Sequence, residues 1–316
     1  MRIGGLVLVG ALIVVAGCST GPAADSVASQ SASASVASAS SSDAAAASSA
    51  SASPTPKPSD PLTGFYDVGS GRKLWLECQG SGSPTIVIDV GNDDTIHGSW
   101  GAVWTPMANI SHVCAYDRAN LGKSDPTTGP RTVPDVAEDL AALLAAAKVP
   151  GPYVFVGGSF GGNVVGNLAA AHPDLVAGTV FVDSEPANLD PKLDPLKSNL
   201  SKEVYAACCA DYGPPAVDSP DNGEHIDYAK GAATEIANVG KQPKVPTRVL
   251  SANHYDCAAD WPCDAILQSE IKLQGLWIAG NPNGKQEVVE SGHVMQRDNP
   301  QAILDATQEI VERLRS

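Results

Sequence analysis

Apolar positions recur along the chain in two rhythms. Arg72 to Cys78 alternates polar and apolar residues, the period of a strand with one buried face. Pro84 to Val90 is almost continuously apolar, as a parallel strand covered on both sides must be. His112 to Tyr116, Tyr153 to Val156, Gly178 to Asp183, Pro246 to Ser251 and Gln286 to Glu290 are further short strand runs. Between them lie helical spacings. Trp100 to Ile110 forms a short amphipathic segment. Pro134 to Lys148 forms a longer one, with Thr132 placed to cap it and Pro134 in its first turn. Asn163 to Ala171 is helix-like. Asn299 and Pro300 open a final helix with Ile303, Leu304, Ile310, Val311 and Leu314 on its inner face. Strands alternating with helices predict an α/β fold, a mostly parallel sheet with helices on both faces. From Ser184 to about Lys244 the pattern dissolves into Pro, Asp, Asn and Cys, which marks an inserted cap over roughly 185–245.

The N-terminal region reads differently. Ile3 to Ala16 is apolar apart from its glycines, follows Arg2, and is short for a membrane span. It fits a signal peptide covering 1–17. Val15-Ala16-Gly17-Cys18 resembles a bacterial lipobox, which implies cleavage before Cys18 and lipidation of its thiol. Acyl chains there would hold the protein on the outer face of a cell membrane. Residues 23–53 are Ser and Ala except Asp25, Val27, Gln30, Val36 and Asp43, and Pro54, Pro56, Pro58 and Pro61 follow. Such a stretch cannot bury a core, so 18–60 is expected to be a flexible tether. The remainder, 61–316, suffices for one substantial α/β domain with an insertion.

Charge and cysteines fit the same compartment. The formal charge is −15, with 20 Lys and Arg against 35 Asp and Glu, which excludes a nucleic-acid partner. Beyond Cys18 stand Cys78, Cys114, Cys208, Cys209, Cys257 and Cys263, an even set that suggests disulfides outside the cytoplasm. Cys78 and Cys114 end two strand-like runs and could be sheet neighbours. Cys208 and Cys209 are expected to reach Cys257 or Cys263. No Cys or His spacing fits zinc, so no metal is expected.

The chemistry concentrates at Gly157-Gly158-Ser159-Phe160-Gly161-Gly162, between a strand and a helix. This is the G-x-S-x-G turn that lifts a serine clear of a sheet. Glycines two before and two after allow a strained backbone at the serine. A phosphate-cradling loop would need other spacings, and neither G-x-x-x-x-G-K-[ST] nor G-x-G-x-x-G occurs. The N–H of Phe160 is placed to meet a carbonyl oxygen.

Over 62–316 the chain resembles the α/β-hydrolase family. Pro84 to Gly91 looks like its strand leading into the oxyanion loop. Cys114 to Asp125 is similar to its Y-D-R-x-G-x-G-x-S-D stretch, with Asn120 where a first Gly is usual. Ser291-Gly292-His293 resembles its histidine loop. The resemblance implies a nucleophile Ser159, a general base His293 between the last strand and last helix, and an acid between them in the chain. Asp183 ends the strand after the elbow helix, where haloalkane dehalogenases can carry theirs. Asp256 and Asp260 occupy the commoner region. The second oxyanion donor falls to the Asn92 backbone. The usual His-Gly pair is absent, and Asp93 and Asp94 follow instead. His97 and His254 could reach the substrate.

The reading that follows is an extracytoplasmic serine hydrolase, acting on a small-molecule or lipid carboxylic ester through an acyl-enzyme. No cofactor is expected. The alternatives are a peptidase like the prolyl aminopeptidases, with Glu185, Glu203 or Glu224 holding a free N-terminus, or a non-catalytic surface binding protein on a hydrolase scaffold.

Overall fold

The computed structural model describes residues 60–184, 201–203, 206, 216–255 and 263–316. The chain divides into two units, Met1–Pro58 and Ser59–Ser316, and the described residues belong to the second. The expected signal peptide and tether therefore lie outside them, as does much of the expected cap.

Eight strands form one sheet: β1 (Gly64–Asp67), β2 (Lys73–Gln79), β3 (Thr85–Asp89), β4 (Val113–Tyr116), β5 (Tyr153–Gly158), β6 (Val176–Val182), β7 (Thr247–Ala252) and β8 (Gly284–Val289). Their spatial order is β1-β2-β4-β3-β5-β6-β7-β8. The β1–β2 and β2–β4 pairs are antiparallel, and the rest are parallel. β4 and β5 flank β3 on opposite sides, so the chain reverses its winding direction there. In such a sheet the crevice for a ligand opens beyond the C-terminal ends of the strands at the reversal. The register places Asp89 opposite Gly157, so the loop after β3 starts level with the elbow after β5.

Helices cover both faces. Val87 and Phe155 point into one core, where α2 (Val133–Ala147) and α3 (Phe160–Ala171) contribute Leu140, Leu143, Leu144, Val164 and Leu168. Ile86, Ile88, Val154 and Val156 point the other way, onto α1 (Gly101–Met107) and the C-terminal helix Pro300–Arg315. One strand feeds two cores because successive side chains alternate. The α2 cap is reciprocal: the Thr132 hydroxyl accepts the Asp135 N–H while the Asp135 carboxylate accepts the Thr132 N–H.

Three elements were invisible in the hydrophobic pattern. β1 has only four residues, and every second one is exposed. The helix α4 (Tyr228–Asn238) buries Gly231, Ala232 and Glu235. The helix α5 (Cys263–Gln274) buries Ser269, Glu270, Leu273 and Gln274. Apart from Leu273, the inward faces of the two helices are small or polar, so they leave no apolar stripe. Two C-terminal helices complete the fold, α6 (Met295–Asp298) and α7 (Pro300–Arg315), the latter capped by the Asn299 side chain on the Ala302 N–H. Among the described residues no helix is long and apolar enough to cross a membrane.

Cys78 and Cys114 face each other in the antiparallel β2–β4 register and are joined by a disulfide, with Cα atoms 4.1 Å apart. That proximity is natural to a non-hydrogen-bonded antiparallel pair. Cys263 is disulfide-bonded as well. Cys208, Cys209 and Cys257 lie outside the described residues.

Candidate active site

The elbow explains its own glycines. Ser159 sits at φ 51° and ψ −122°, a sparsely populated region for a side-chain-bearing residue. A Cβ on Gly161 would stand 2.2 Å from the Asp89 carbonyl oxygen, and one on Gly157 2.7 Å from that of Gly161. Both clashes are with backbone and cannot be relieved by a rotamer. The Ser159 N–H donates to the Val182 carbonyl at 2.9 Å, which fixes the turn to β6.

Ser159, His293 and Asp183 come together from three separate connections. The His293 Nε2 is 3.1 Å from Ser159 Oγ, and its Nδ1 is 2.6 Å from Asp183 Oδ2. An ionised carboxylate only accepts, so Nδ1 carries the proton and Nε2 is left as the acceptor for the serine hydroxyl. Asp183 follows β6 at φ 46°. Its N–H donates to the Leu250 carbonyl at 2.7 Å on β7. Its Oδ1 accepts the Ala252 N–H at 2.8 Å and Gln274 Nε2 at 2.9 Å, and its Oδ2 also accepts the Tyr255 hydroxyl at 2.9 Å. Burial alone would push this carboxyl up. The hydrogen bond and charge of His293, with the Ala252 and Gln274 donors, outweigh burial and hold it below the usual carboxylate range. The Asp183 side chain has no exposed surface while that of His293 is 50% exposed, so the pair is open only on the histidine side. Asp256 and Asp260 lie outside the described residues.

The loop after β3 faces the elbow. A Cβ on Gly91 would stand 3.8 Å from that of Ser159. Phe160 opens α3, so its N–H has no acceptor within the helix. The Asn92 side chain accepts the Tyr228 hydroxyl at 3.3 Å. The two aspartates that follow turn away from the serine. Asp94 accepts the Thr95 N–H at 2.8 Å and the Ser99 hydroxyl at 2.5 Å. Asp93 accepts backbone N–H groups of Gly223 and Glu224; burial first, then the Glu224 charge, pushes its carboxyl up.

His97 is bonded to Glu77 at 3.0 Å, and its side chain is largely exposed. His254 lies beside the histidine loop: its N–H donates to the Ser291 carbonyl at 3.4 Å, its Nδ1 meets the Asn253 side chain at 2.8 Å, and a Cβ on Gly292 would stand 3.6 Å from its Nε2. Cys78, His112 and Cys114 are the one metal-like grouping among the described residues, and both its sulfurs are committed to the disulfide.

Tyr255, Gln274, Arg118 and Tyr228 were not singled out in the sequence, and Glu224 stood there only as a candidate for holding a free N-terminus. Arg118 had a signal, since it lies in the Tyr-Asp-Arg stretch quoted above. The others lie where periodicity fails. Glu235, on α4, is a further buried carboxylate, and neither of its oxygens has a hydrogen-bond partner among the described residues. Burial pushes it up to about 7. The folded state therefore holds a proton that the unfolded chain releases nearer pH 4.5. Stability contributed by this group is greatest below the unfolded value and is lost as pH rises to about 7. Glu235→Gln is expected to gain up to about 3 kcal/mol on the wild type between pH 5 and pH 8. Urea unfolding of both proteins at each pH measures this, and an equal gap at the two pH values would refute it.

The comparisons agree with this architecture. A family model described as the alpha/beta hydrolase fold matches residues 98–210. Lipase LipV of Mycobacterium tuberculosis is 36% identical over 152 residues, 42% of this chain and 56% of that protein. The uncharacterized protein YqjL of Bacillus subtilis is 34% identical over 109 residues, 33% of this chain and 41% of that one. Among solved structures, a hydrolase from Pseudomonas aeruginosa PA01 superposes with a TM-score of 0.58 at 20% identity, over 78% of this chain and 97% of that one. The chain spans less than half the length of the first curated relatives it matches, 18%, 41% and 43%. The chain has the α/β hydrolase fold, with its mostly parallel eight-stranded sheet.

Proposed function

We propose that this α/β hydrolase is an extracytoplasmic serine hydrolase that cleaves carboxylic esters through Ser159, His293 and Asp183. The observation that carries the reading is the continuous contact from Ser159 Oγ through His293 to the buried Asp183. A serine hydroxyl is a poor nucleophile unless a base takes its proton, and that base needs an orienting acid. Ser159 Oγ attacks the ester carbonyl carbon as its proton passes to His293 Nε2. The resulting oxyanion is met by the N–H groups of Phe160 and Asn92. Collapse expels the alcohol, which takes the proton from His293. Water then attacks the acyl-serine with His293 again as base, and the carboxylic acid leaves.

The resemblance to a protein named a lipase favours an ester over a peptide bond. So does Glu224, which is paired with Arg118 rather than free to hold an ammonium group. The Cys18 lipobox and the Ser/Ala/Pro tether support anchoring to the outer face of a membrane, and the Cys78–Cys114 disulfide suits that oxidising side.

A fluorophosphonate probe on the full chain, with mass spectrometry of the adduct, tests the mechanism. A series of chromogenic esters of rising acyl length tests the substrate. Expected is a single adduct on Ser159, with turnover of at least one ester. An adduct without ester turnover would favour aminopeptidase substrates, and no adduct on the folded protein would favour a binding scaffold.

A further inference from the structure

Arg118 and Glu224 meet beneath the loop after β3, 106 residues apart in sequence, and each side chain is 1% exposed. All five guanidinium N–H donors are used. Nε and Nη2 donate to the two Glu224 oxygens at 2.6 and 2.7 Å. Nη1 donates to Asp89 at 2.6 Å and to the Val90 carbonyl at 2.8 Å. Nη2 also donates to the Gly91 carbonyl at 2.6 Å. The Asp89 carboxylate takes the Tyr116 hydroxyl at 2.8 Å. Glu224 closes the circuit by accepting the Asp93 N–H at 3.2 Å. The guanidinium lies 5.0 Å from the centroid of the Phe160 ring, so the network abuts the residue after the nucleophile.

The Gly91 carbonyl and the Asn92 N–H belong to one peptide unit. In a planar trans peptide these two groups point in opposite directions. A cation bonded to the carbonyl therefore fixes where the N–H aims, and it draws electron density from that N–H, making it a stronger donor. Gly91 lies beside Ser159, a built Cβ there standing 3.8 Å from that of the serine, so an Asn92 N–H that serves an oxyanion on Ser159 requires the Gly91 carbonyl to be turned away, as its bond to Arg118 would hold it.

We infer that Arg118 and Glu224 are positioning residues for the oxyanion hole: Arg118 aims and polarises the Asn92 N–H, and Glu224, supplied by the segment after the sheet's sixth strand, holds Arg118 to that task. The inference rests on the acyl-transfer reading above. It makes the segment around Glu224 part of the rate-determining machinery, beyond any role in substrate choice. A cluster serving only to fill the interior would have no reason to spend two guanidinium bonds on the two carbonyls that immediately precede Asn92.

The test uses the full chain and the best chromogenic ester. Glu224→Gln keeps the shape and removes the charge. It is expected to lower kcat about 10- to 100-fold while KM stays within about 3-fold, part of the loss seen when an oxyanion donor is deleted outright. Affinity for a trifluoromethyl ketone, which mimics the tetrahedral adduct, should fall by the same factor as kcat/KM. Should Glu224→Gln fail to fold, Glu224→Asp retains the charge but is too short to keep both bonds, and a kcat loss of about 5- to 10-fold is expected. A folded variant with wild-type kcat and ketone affinity would overturn the inference, as would a loss confined to KM. Wild-type protein that neither turns over an ester nor takes the fluorophosphonate would remove the acyl-transfer reading itself, and this inference with it.

Discussion

Ser159→Ala is expected to lower kcat for the best ester on the order of 10^6-fold and to leave the fold intact. The hydroxyl is the only atom removed, and its partner His293 is half exposed, so no buried group loses its sole bond. Alanine at φ 51° carries the same backbone strain as serine, and the Ser159 N–H keeps its bond to the Val182 carbonyl. The melting temperature should therefore stay within a few degrees. Residual hydrolysis above the uncatalysed rate would reflect the Phe160 and Asn92 donors, which persist in the variant. Steady-state kinetics with thermal denaturation checks both halves. Wild-type turnover in the variant would move the nucleophile elsewhere.

Asp183→Asn is expected to cost about 10^4 in kcat. One oxygen of Asp183 is held by the Ala252 N–H and Gln274, both donors, so an asparagine would place its own carbonyl there. Its amide NH2 would then face His293 Nδ1. An NH2 can only donate, so the imidazole would shift its proton to Nε2 and present an N–H to Ser159. A base would become an acid, with every heavy atom in place. The same change removes an ionised group held below the usual carboxylate range. The stability it contributes is present above the unfolded carboxylate value and is lost as pH falls through the folded one. The variant should be less stable than the wild type at pH 7 and should approach it in acid. Parallel kinetics of Asp256→Asn separate the two candidate acids: near wild-type kcat there is expected, and a collapse there with an active Asp183→Asn would reverse the assignment.

The site was legible to the extent that chemistry is local in sequence. The elbow declares itself because five consecutive positions obey one steric rule. The alternation of β2 and the continuous apolar β3 declare the sheet because each reflects burial on known faces. His293 stood out only through its neighbours Ser291 and Gly292 and its place before the last helix. Asp183 was one of several candidates, because what singles it out is the donor set from Ala252, Gln274 and Tyr255, three positions far along the chain. Gln274 comes from a helix whose buried face includes Ser269, Glu270 and Gln274, and a hydrophobic template cannot see such a helix. Glu224 read as a free acidic residue of an insertion. Its pairing with Arg118 depends on a loop closing over β3, a long-range event with no local period.

The main-chain bonds from Ser159 to Val182 and from Asp183 to Leu250 have a metrical consequence. Ser159 is tied to the strand beside its own, and Asp183 is tied to the strand beside that. Neighbouring strands stand roughly 4.8 Å apart in any sheet. The span that the imidazole must bridge is thus set by the backbone lattice, and side-chain substitutions in the covering helices leave that ruler unchanged.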